Sequence, residues 1–336
     1  MQFTHFIGID VSKSYLDWSI VHNAQEVHKQ RTPNHSQAIQ TYVQQYLEHF
    51  QIDLAQCLFC IEYTGRYNLN LIDILEKQQA TIWQVSPLHL KRSIGIQRGK
   101  SDPIDAHRIA LFAMRHQDER VPHQRVRPIL SQLKSLFALR RALVKFGASI
   151  KMQLADIEFI EPSIRSTLQT HIEQTIEQNR QYISELETQM IQLIHDDIHL
   201  SRLFLILNSV TGVGPIVSIK LLLATNEFKR MRNPRKLACH AGIAPFEHTS
   251  GTSVRKTTRV SNMADHELKD MLHLAALAAI RAKGELRDYY LRKKQENKPS
   301  MSILNAVRNK IVHRLCACIK ADRTYKKDYQ PKLKVA

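Results

Sequence analysis

The sequence has no apolar run approaching the roughly eighteen residues that a membrane-spanning helix needs. Its first residues show no charged, then apolar, then small-residue leader pattern. Both absences lead to the expectation of a cytoplasmic protein. Cysteine is sparse and odd in number, five in all: Cys57, Cys60, Cys239, Cys316 and Cys318. Cys57 and Cys60 have CxxC spacing, but they lie inside a strand-like run with no second pair. Buried, reduced thiols are therefore expected rather than a zinc site or a disulfide. Acids are also scarce, 31 against 48 Lys and Arg, which leaves a net charge of +17. That imbalance calls for a polyanionic partner. No basic amphipathic stretch carries an apolar insertion face, so the partner is nucleic acid and not a membrane. No helix-turn-helix or zinc-finger pattern is present to read base edges. The 336 residues, 43% of them hydrophobic, exceed one ordinary core and suggest two domains plus a connecting element.

Among the few acids, four are placed suggestively. Ser101-Asp102-Pro103-Ile104-Asp105-Ala106 opens a helix that should run to about Arg115, with Asp102 as N-cap and Pro103 in the first turn. Its two carboxylates, three residues apart, share a helix face. Alone, this is ordinary helix-end chemistry. Upstream, however, two apolar runs that read as buried strands each end in an acid: Phe6-Ile7-Gly8-Ile9-Asp10 and Cys57-Leu58-Phe59-Cys60-Ile61-Glu62. Strand ends of α/β sheets are where ligands sit. Four carboxylates without a thiolate or imidazole at matching spacing form a hard-oxygen site suited to Mg²⁺ or Mn²⁺ and to phosphate chemistry.

In chain order, strands are expected at 5–12, 15–21 and 26–32, then a helix from Ser36 to about Phe50 with Ile39, Tyr42, Val43, Tyr46 and Leu47 on its buried stripe. The strand ending in Glu62 follows, then a helix from about 68 to 79 and a strand at 81–85. A three-stranded meander followed by alternating helices and strands makes a mixed sheet with helices on its faces. Residues 88–100 read as a loop carrying Lys91, Arg92, Arg98 and Lys100 and no acid.

Ile7-Gly8-Ile9-Asp10-Val11-Ser12-Lys13, Glu62 with Gly65, and Lys100-Ser101-Asp102 with Asp105-Ala106 together resemble the DEDD transposases of the insertion-sequence-110 family and the related pilin-gene invertases. The resemblance covers almost the whole chain. It implies an N-terminal nuclease domain with the RuvC resolvase fold, itself ribonuclease H-like, in which Asp10, Glu62, Asp102 and Asp105 bind the metal.

From about 121 the pattern becomes helical. Leu130, Leu133, Leu136, Phe137, Leu139 and Val144 recur at helical spacing with interleaved basic residues. Ile172, Ile176, Asn179, Ile183, Leu186, Met190 and Leu193 then follow coiled-coil spacing with Asn179 as the one polar knob. That seam serves either an intramolecular hairpin or a dimer; the resemblance implies self-association. Around Gly212-Val213-Gly214 the pattern reads helix, tight turn, helix, a possible helix-hairpin-helix-like phosphate contact. Between 227 and 259 there are eight Lys or Arg against two acids, with Lys229, Arg230, Arg232, Arg235 and Lys236 followed by Arg255, Lys256 and Arg259. This is the strongest polyanion signature in the chain. Ala241-Gly242-Ile243-Ala244-Pro245 with Thr249-Ser250-Gly251 resembles the family's transposase domain, in which a serine is the nucleophile. Ser250 is the best match and Ser253, in the same turn, the rival; from the residues alone, a flexible loop that binds phosphate without chemistry is the leading reading.

The expected organisation is an α/β nuclease domain at 1–118, an all-α insert with a coiled coil at 119–200, a mostly helical C-terminal domain at 201–325 and a basic tail at 326–336. The expected function is a DNA transposase or recombinase that cuts and rejoins donor and target DNA. It would use an Mg²⁺-binding acidic cluster and Ser250, with a structured guide RNA and a homodimer or homotetramer implied by the resemblance, and association with the nucleoid when active. The alternative is a metal-dependent junction endonuclease with no covalent intermediate.

Overall fold

The computed structural model describes residues 3–93, 102–121, 123–124, 126–250 and 254–326. The chain divides into two compact units, Met1–Arg125 and Val126–Ala336.

The first unit begins with a meander of β1 (His5–Val11), β2 (Tyr15–His22) and β3 (Gln25–Pro33). Asn23 and Ala24, with φ of 48° and 64°, form the two-residue turn between β2 and β3, the left-handed pair whose twist suits a tight hairpin. Then come α1 (Ser36–Phe50), β4 (Cys57–Glu62), α2 (Leu69–Lys77), β5 (Thr81–Val85), α3 (Pro87–Ser93) and α4 (Asp102–Arg115). The strand order is β3-β2-β1-β4-β5, antiparallel through β3, β2 and β1 and parallel through β1, β4 and β5. This is the mixed sheet with helices on its faces that the sequence predicts.

Alternation along the strands splits the core in two. Ile7, Ile9, Leu16, Trp18, Ile20, Phe59 and Ile61 pack with Ile39, Val43 and Tyr46 of α1 and with Leu71, Ile74 and Leu75 of α2. On the opposite face, Phe6, Val21, Leu58, Cys60, Trp83 and Val85 meet Leu90 of α3 and Ile109, Ala110, Phe112 and Ala113 of α4. Cys57 and Cys60 belong to different faces and are buried and unpaired, so their CxxC spacing is incidental. Burial pushes the Cys57 thiol up to about 12 and also raises Cys60. Residues 88–93, expected to lie in a loop, instead belong to α3. Pro87 starts a helix readily, and burial of Leu90 holds a turn too short to show periodicity.

The second unit starts with two long helices, α5 (Pro128–Ala155) and α6 (Pro162–His195), packed as a hairpin. The expected seam lies along this contact: Ile176, Asn179, Leu186 and Met190 are buried, while Ile172, Ile183 and Leu193 are half-buried. Asn179 Nδ2 donates to the Leu143 carbonyl of α5 at 3.1 Å. A Cβ on Gly147 would stand 2.6 Å from that same amide nitrogen. The polar knob therefore recognises a helix of its own chain.

Then follow α7 (Ile198–Asn208), α8 (Pro215–Thr225), α9 (Pro234–His240), the hairpin β6 (Pro245–Ser250) and β7 (Val254–Val260), α10 (His266–Arg281), α11 (Glu285–Gln295) and α12 (Ser300–Lys320). One core joins α7, α8, α10 and α12 to the feet of the long hairpin, Leu130, Leu133 and Phe137 below and Met190 and Ile194 opposite. Gly212, at φ 90°, lies against α10, where a Cβ would meet the Ala275 carbonyl at 2.3 Å. The Gly212-Val213-Gly214 turn is thus committed to helix packing. Among the described residues no helix is long and apolar enough to cross a membrane.

Candidate functional site

Register places the charged residues of the first unit in a row. Asp10 of β1 lies opposite Asp17 of β2, and Asp17 lies opposite Arg31 of β3. On the other side Ile9 pairs with Ile61, so Glu62 continues the row on β4. Opposed residues of antiparallel strands share a face, and Asp10, two residues from Gly8, shares the face on which α4 packs. Gly8 is the point of closest approach. A Cβ there would lie 2.2 Å from the Ala106 carbonyl and 2.3 Å from the Ala110 nitrogen, so the helix backbone rests directly on β1. This seating sets the first turn of α4, with Asp102 and Asp105, beside Asp10.

Electrostatics records the convergence. The Asp10 carboxyl is pushed from 3.8 up to about 6, first by burial and then by the charges of Asp102, Glu62, Asp105 and Asp17. Glu62 is fixed through its backbone. The buried Asn68 side chain donates to the Glu62 carbonyl at 2.8 Å and takes a hydrogen bond from Thr64, while Gly65, at φ 78°, permits the turn. Asp105 pairs with Arg108 at 2.9 Å. Arg31 forks onto Asp17 with two bonds of 2.9 Å and touches Asp102 at 3.4 Å. Asp17 and Arg31 were not among the residues picked out of the sequence. Beneath α4, the buried Ser19 donates to Glu26 at 2.5 Å and lies 3.3 Å from His107 Nδ1, a small polar cluster under the helix.

Among the described residues no three His, Cys, Asp or Glu side chains stand close enough together to hold an ion as placed. The donor chemistry still fits a hard divalent cation, because the acids that act on Asp10 are all carboxylates, whose charges add to burial in raising it. Asp10, Glu62, Asp102 and Asp105 could supply its oxygens once the two arginine contacts on Asp102 and Asp105 loosen.

The same shift makes a stability prediction. The folded value of Asp10 lies above its unfolded one, so ionising it works against the fold; its contribution is full below about pH 4 and is lost as pH rises through about 6. Asp10→Asn should therefore raise stability at neutral pH by about 1 kcal/mol, after discounting for solvent screening of a partly exposed carboxyl. Melting curves should show the gain at about pH 7.5 and lose most of it at about pH 4. An equal gain at both values would mean that the charge of Asp10 is not what burdens the site.

The second unit carries the other expected residues. Ser250 ends β6, its backbone opposite Val254, so it closes a strand and is not in the loop that the sequence suggested. Gly251, Thr252 and the rival Ser253 lie outside the described residues, as do Arg98 and Lys100. Arg255, Lys256 and Arg259 are on β7, opposite Thr249, His248 and Phe246. Upstream, Asn226, Glu227 and Phe228 form three successive left-handed residues, φ 49°, 57° and 60°, an arrangement that L-residues adopt only when their surroundings enforce it. The run is held by the Glu227 N–H to the Leu222 carbonyl, by the Phe228 N–H to the Thr225 hydroxyl, and by Arg127, which reaches the fully buried Glu227 at 2.6 Å and Asp197 at 2.9 Å. Past this turn, Lys229 pairs with Glu227 and Arg232 donates to the Phe228 carbonyl, while Arg230, Arg235 and Lys236 are exposed. Lys91 and Arg92 are exposed in the last turn of α3.

Two family descriptions match this chain: a transposase family of the DEDD, IS110 type over residues 7–157, and the Transposase IS116/IS110/IS902 family over residues 205–291. The pilin gene-inverting protein of Moraxella bovis is 24% identical over 96% of this chain and 98% of its own length. A probable family 20 transposase of Pseudomonas aeruginosa is 24% identical over 60% of this chain and 59% of its own. Among solved structures, RuvC of T. thermophilus in complex with a Holliday junction substrate aligns with 36% of this chain and 99% of that one, at 14% identity and a TM-score of 0.29.

Proposed function

The chain belongs to the IS110 family of transposases, enzymes that cut and rejoin DNA, and from that premise we propose that it works through a composite site. One part is a divalent cation, Mg²⁺ or Mn²⁺, on Asp10, Glu62, Asp102 and Asp105; the other is Ser250 as nucleophile. The observation that carries this reading is the coupling of Asp10 to the other carboxylates on one edge of one sheet. A scaffold that only held nucleic acid would have no use for such a gathering of acids inside a chain of net charge +17.

A serine hydroxyl is a weak nucleophile without a base or strong local positive charge. Arg255 and Lys256 supply charge, but Glu247 is the one acid nearby in sequence. When bound, the cation supplies Lewis-acid stabilisation of the charge that builds on the phosphate oxygens. Ser250 therefore works against the acids of the first unit, in its own chain or in a neighbouring copy. In the first step the Ser250 oxygen bonds to phosphorus, the bond from phosphorus to one deoxyribose oxygen breaks, and that oxygen leaves as a hydroxyl carrying the proton. In the second, a hydroxyl of the new partner strand attacks the phosphoserine and the serine regains its proton. Bond count is conserved, so no external energy source is needed. Arg230, Arg235, Lys236 and the β7 cations hold the DNA backbone. With no reader of base edges in the sequence, a structured RNA selects donor and target, and two or more copies hold the several cleavages together.

The test is capture of protein on cleaved DNA, comparing wild type with Ser250→Ala and Ser253→Ala. Wild type and Ser253→Ala should form a denaturant-resistant adduct that Ser250→Ala lacks. Loss in Ser253→Ala alone moves the nucleophile around the turn. Cleavage by every variant with no adduct makes the protein a water-using endonuclease. The same assay on protein freed of RNA should lose site choice; site-specific adducts without RNA would remove the guide from the proposal.

A further inference from the structure

Arg31 of β3 touches two of the clustered carboxylates, Asp17 and Asp102. Its two contacts are unequal. It grips Asp17 with a fork of two bonds at 2.9 Å and reaches Asp102 with one nitrogen at 3.4 Å. Asp17 is buried, whereas Asp102 is more than half exposed on the first turn of α4. A guanidinium fork on a buried carboxylate is the strong, oriented interaction; a single long contact to an exposed carboxylate is the weak one. Arg31 is thus anchored through Asp17, and Asp102 is the partner it can release.

We propose that Arg31 is the built-in counter-ion of the acidic site, holding Asp102 until a divalent cation displaces that contact while the Asp17 fork stays in place. The inference rests on the metal reading above. Asp102 is the clustered carboxylate that Arg31 holds by its weaker contact, and its oxygens cannot be fully committed both to Arg31 and to a cation. Competition between the two sets the affinity of the site for the metal, and Asp17, which binds no metal in this scheme, positions the competitor. The geometry also supplies an internal control. Lys29 lies two residues along the same strand, on the same sheet face and exposed, yet no hydrogen bond or ion pair is recorded for it among the described residues.

Mn²⁺ titration of the full-length protein by calorimetry, without DNA, separates the possibilities. Arg31→Gln should bind Mn²⁺ about tenfold tighter than wild type, and Lys29→Gln within about twofold, since a coupling between neighbouring sites is commonly of that size. Arg31→Gln leaves the buried Asp17 without its partner, so the double variant Asp17→Asn/Arg31→Gln is measured beside it and should still bind more tightly than wild type, by less than Arg31→Gln because the charge of Asp17 is lost as well. Equal Mn²⁺ affinity in wild type and both Arg31 variants overturns the inference and leaves the metal reading standing. Tightening of the same size in Lys29→Gln reduces Arg31 to general electrostatics and also overturns it. Absence of Mn²⁺ binding in every protein removes the metal reading, and the inference with it.

Discussion

Asp105→Asn should lose strand cleavage by about a thousandfold while its affinity for DNA stays within about twofold of wild type. The size follows from the role: a cation that stabilises transition-state charge is worth several kcal/mol, and about 4 kcal/mol is three powers of ten in rate. Asp105 is only partly exposed and already in contact with one cation, Arg108, at 2.9 Å, so the isosteric amide changes charge with little change in packing. In the proposed scheme DNA binding falls to exposed basic residues elsewhere, so it should be preserved. Single-turnover cleavage assays, set against gel-shift affinities at matched salt, test both halves. Full cleavage by Asp105→Asn, or by wild type in excess chelator, would take the acidic cluster out of the mechanism.

Gly8→Ala should be the most damaging small substitution in the first unit. Its methyl group would meet the carbonyl of Ala106 and the nitrogen of Ala110, both backbone atoms at 2.2 and 2.3 Å, so no side chain can turn aside to admit it. Either the strand bends or α4 lifts, at a cost of about 3 kcal/mol by comparison with overpacked cores. If α4 lifts by about an ångström, Asp102 and Asp105 move with it, and displacement on that scale can cost about a hundredfold in rate. Urea unfolding should show the loss of stability, and cleavage by the folded fraction should fall as well. Normal cleavage per folded molecule would mean that α4 keeps its carboxylates in place despite the added methyl.

The sequence disclosed the residues whose position follows from one element and concealed those whose position follows from two. Asp10 and Glu62 were visible because each closes an apolar run, and Asp102 with Asp105 because a cap and a proline announce a helix start. Asp17 was equally plain as a residue, but its place beside Asp10 depends on the pairing of β1 with β2. Arg31 needs a second register, β2 with β3, and its meaning arises only when both hold. Gly8 gave no sign of its role, since glycine in a strand is explained by whatever lies above it, here a helix nearly a hundred residues later. The 172–193 periodicity was legible but its partner was not. A heptad pattern states that something apolar faces it, and Gly147 shows which helix does. Helix α3 was hidden by its brevity, and the β6 and β7 hairpin by a run of small polar residues that reads as loop until the two strands are paired.

The strand order also has a consequence in time. The β1, β2 and β3 meander is built from neighbouring segments with short closures, whereas β4 must come alongside β1 across α1, and α4 can seat on Gly8 only when residues beyond 100 have emerged. As the ribosome releases the chain, Asp10 enters the sheet alone, Glu62 joins it later, and Asp102 and Asp105 arrive last. Much of the repulsion among the acids is thus deferred to the final docking step, when the face under α1 and α2 is already covered and the other still waits for α4. A nascent chain halted just before α4 would hold a nearly complete sheet still lacking two of its clustered acids, which makes that docking step the point at which ions in the surrounding solution bear most on how the domain matures.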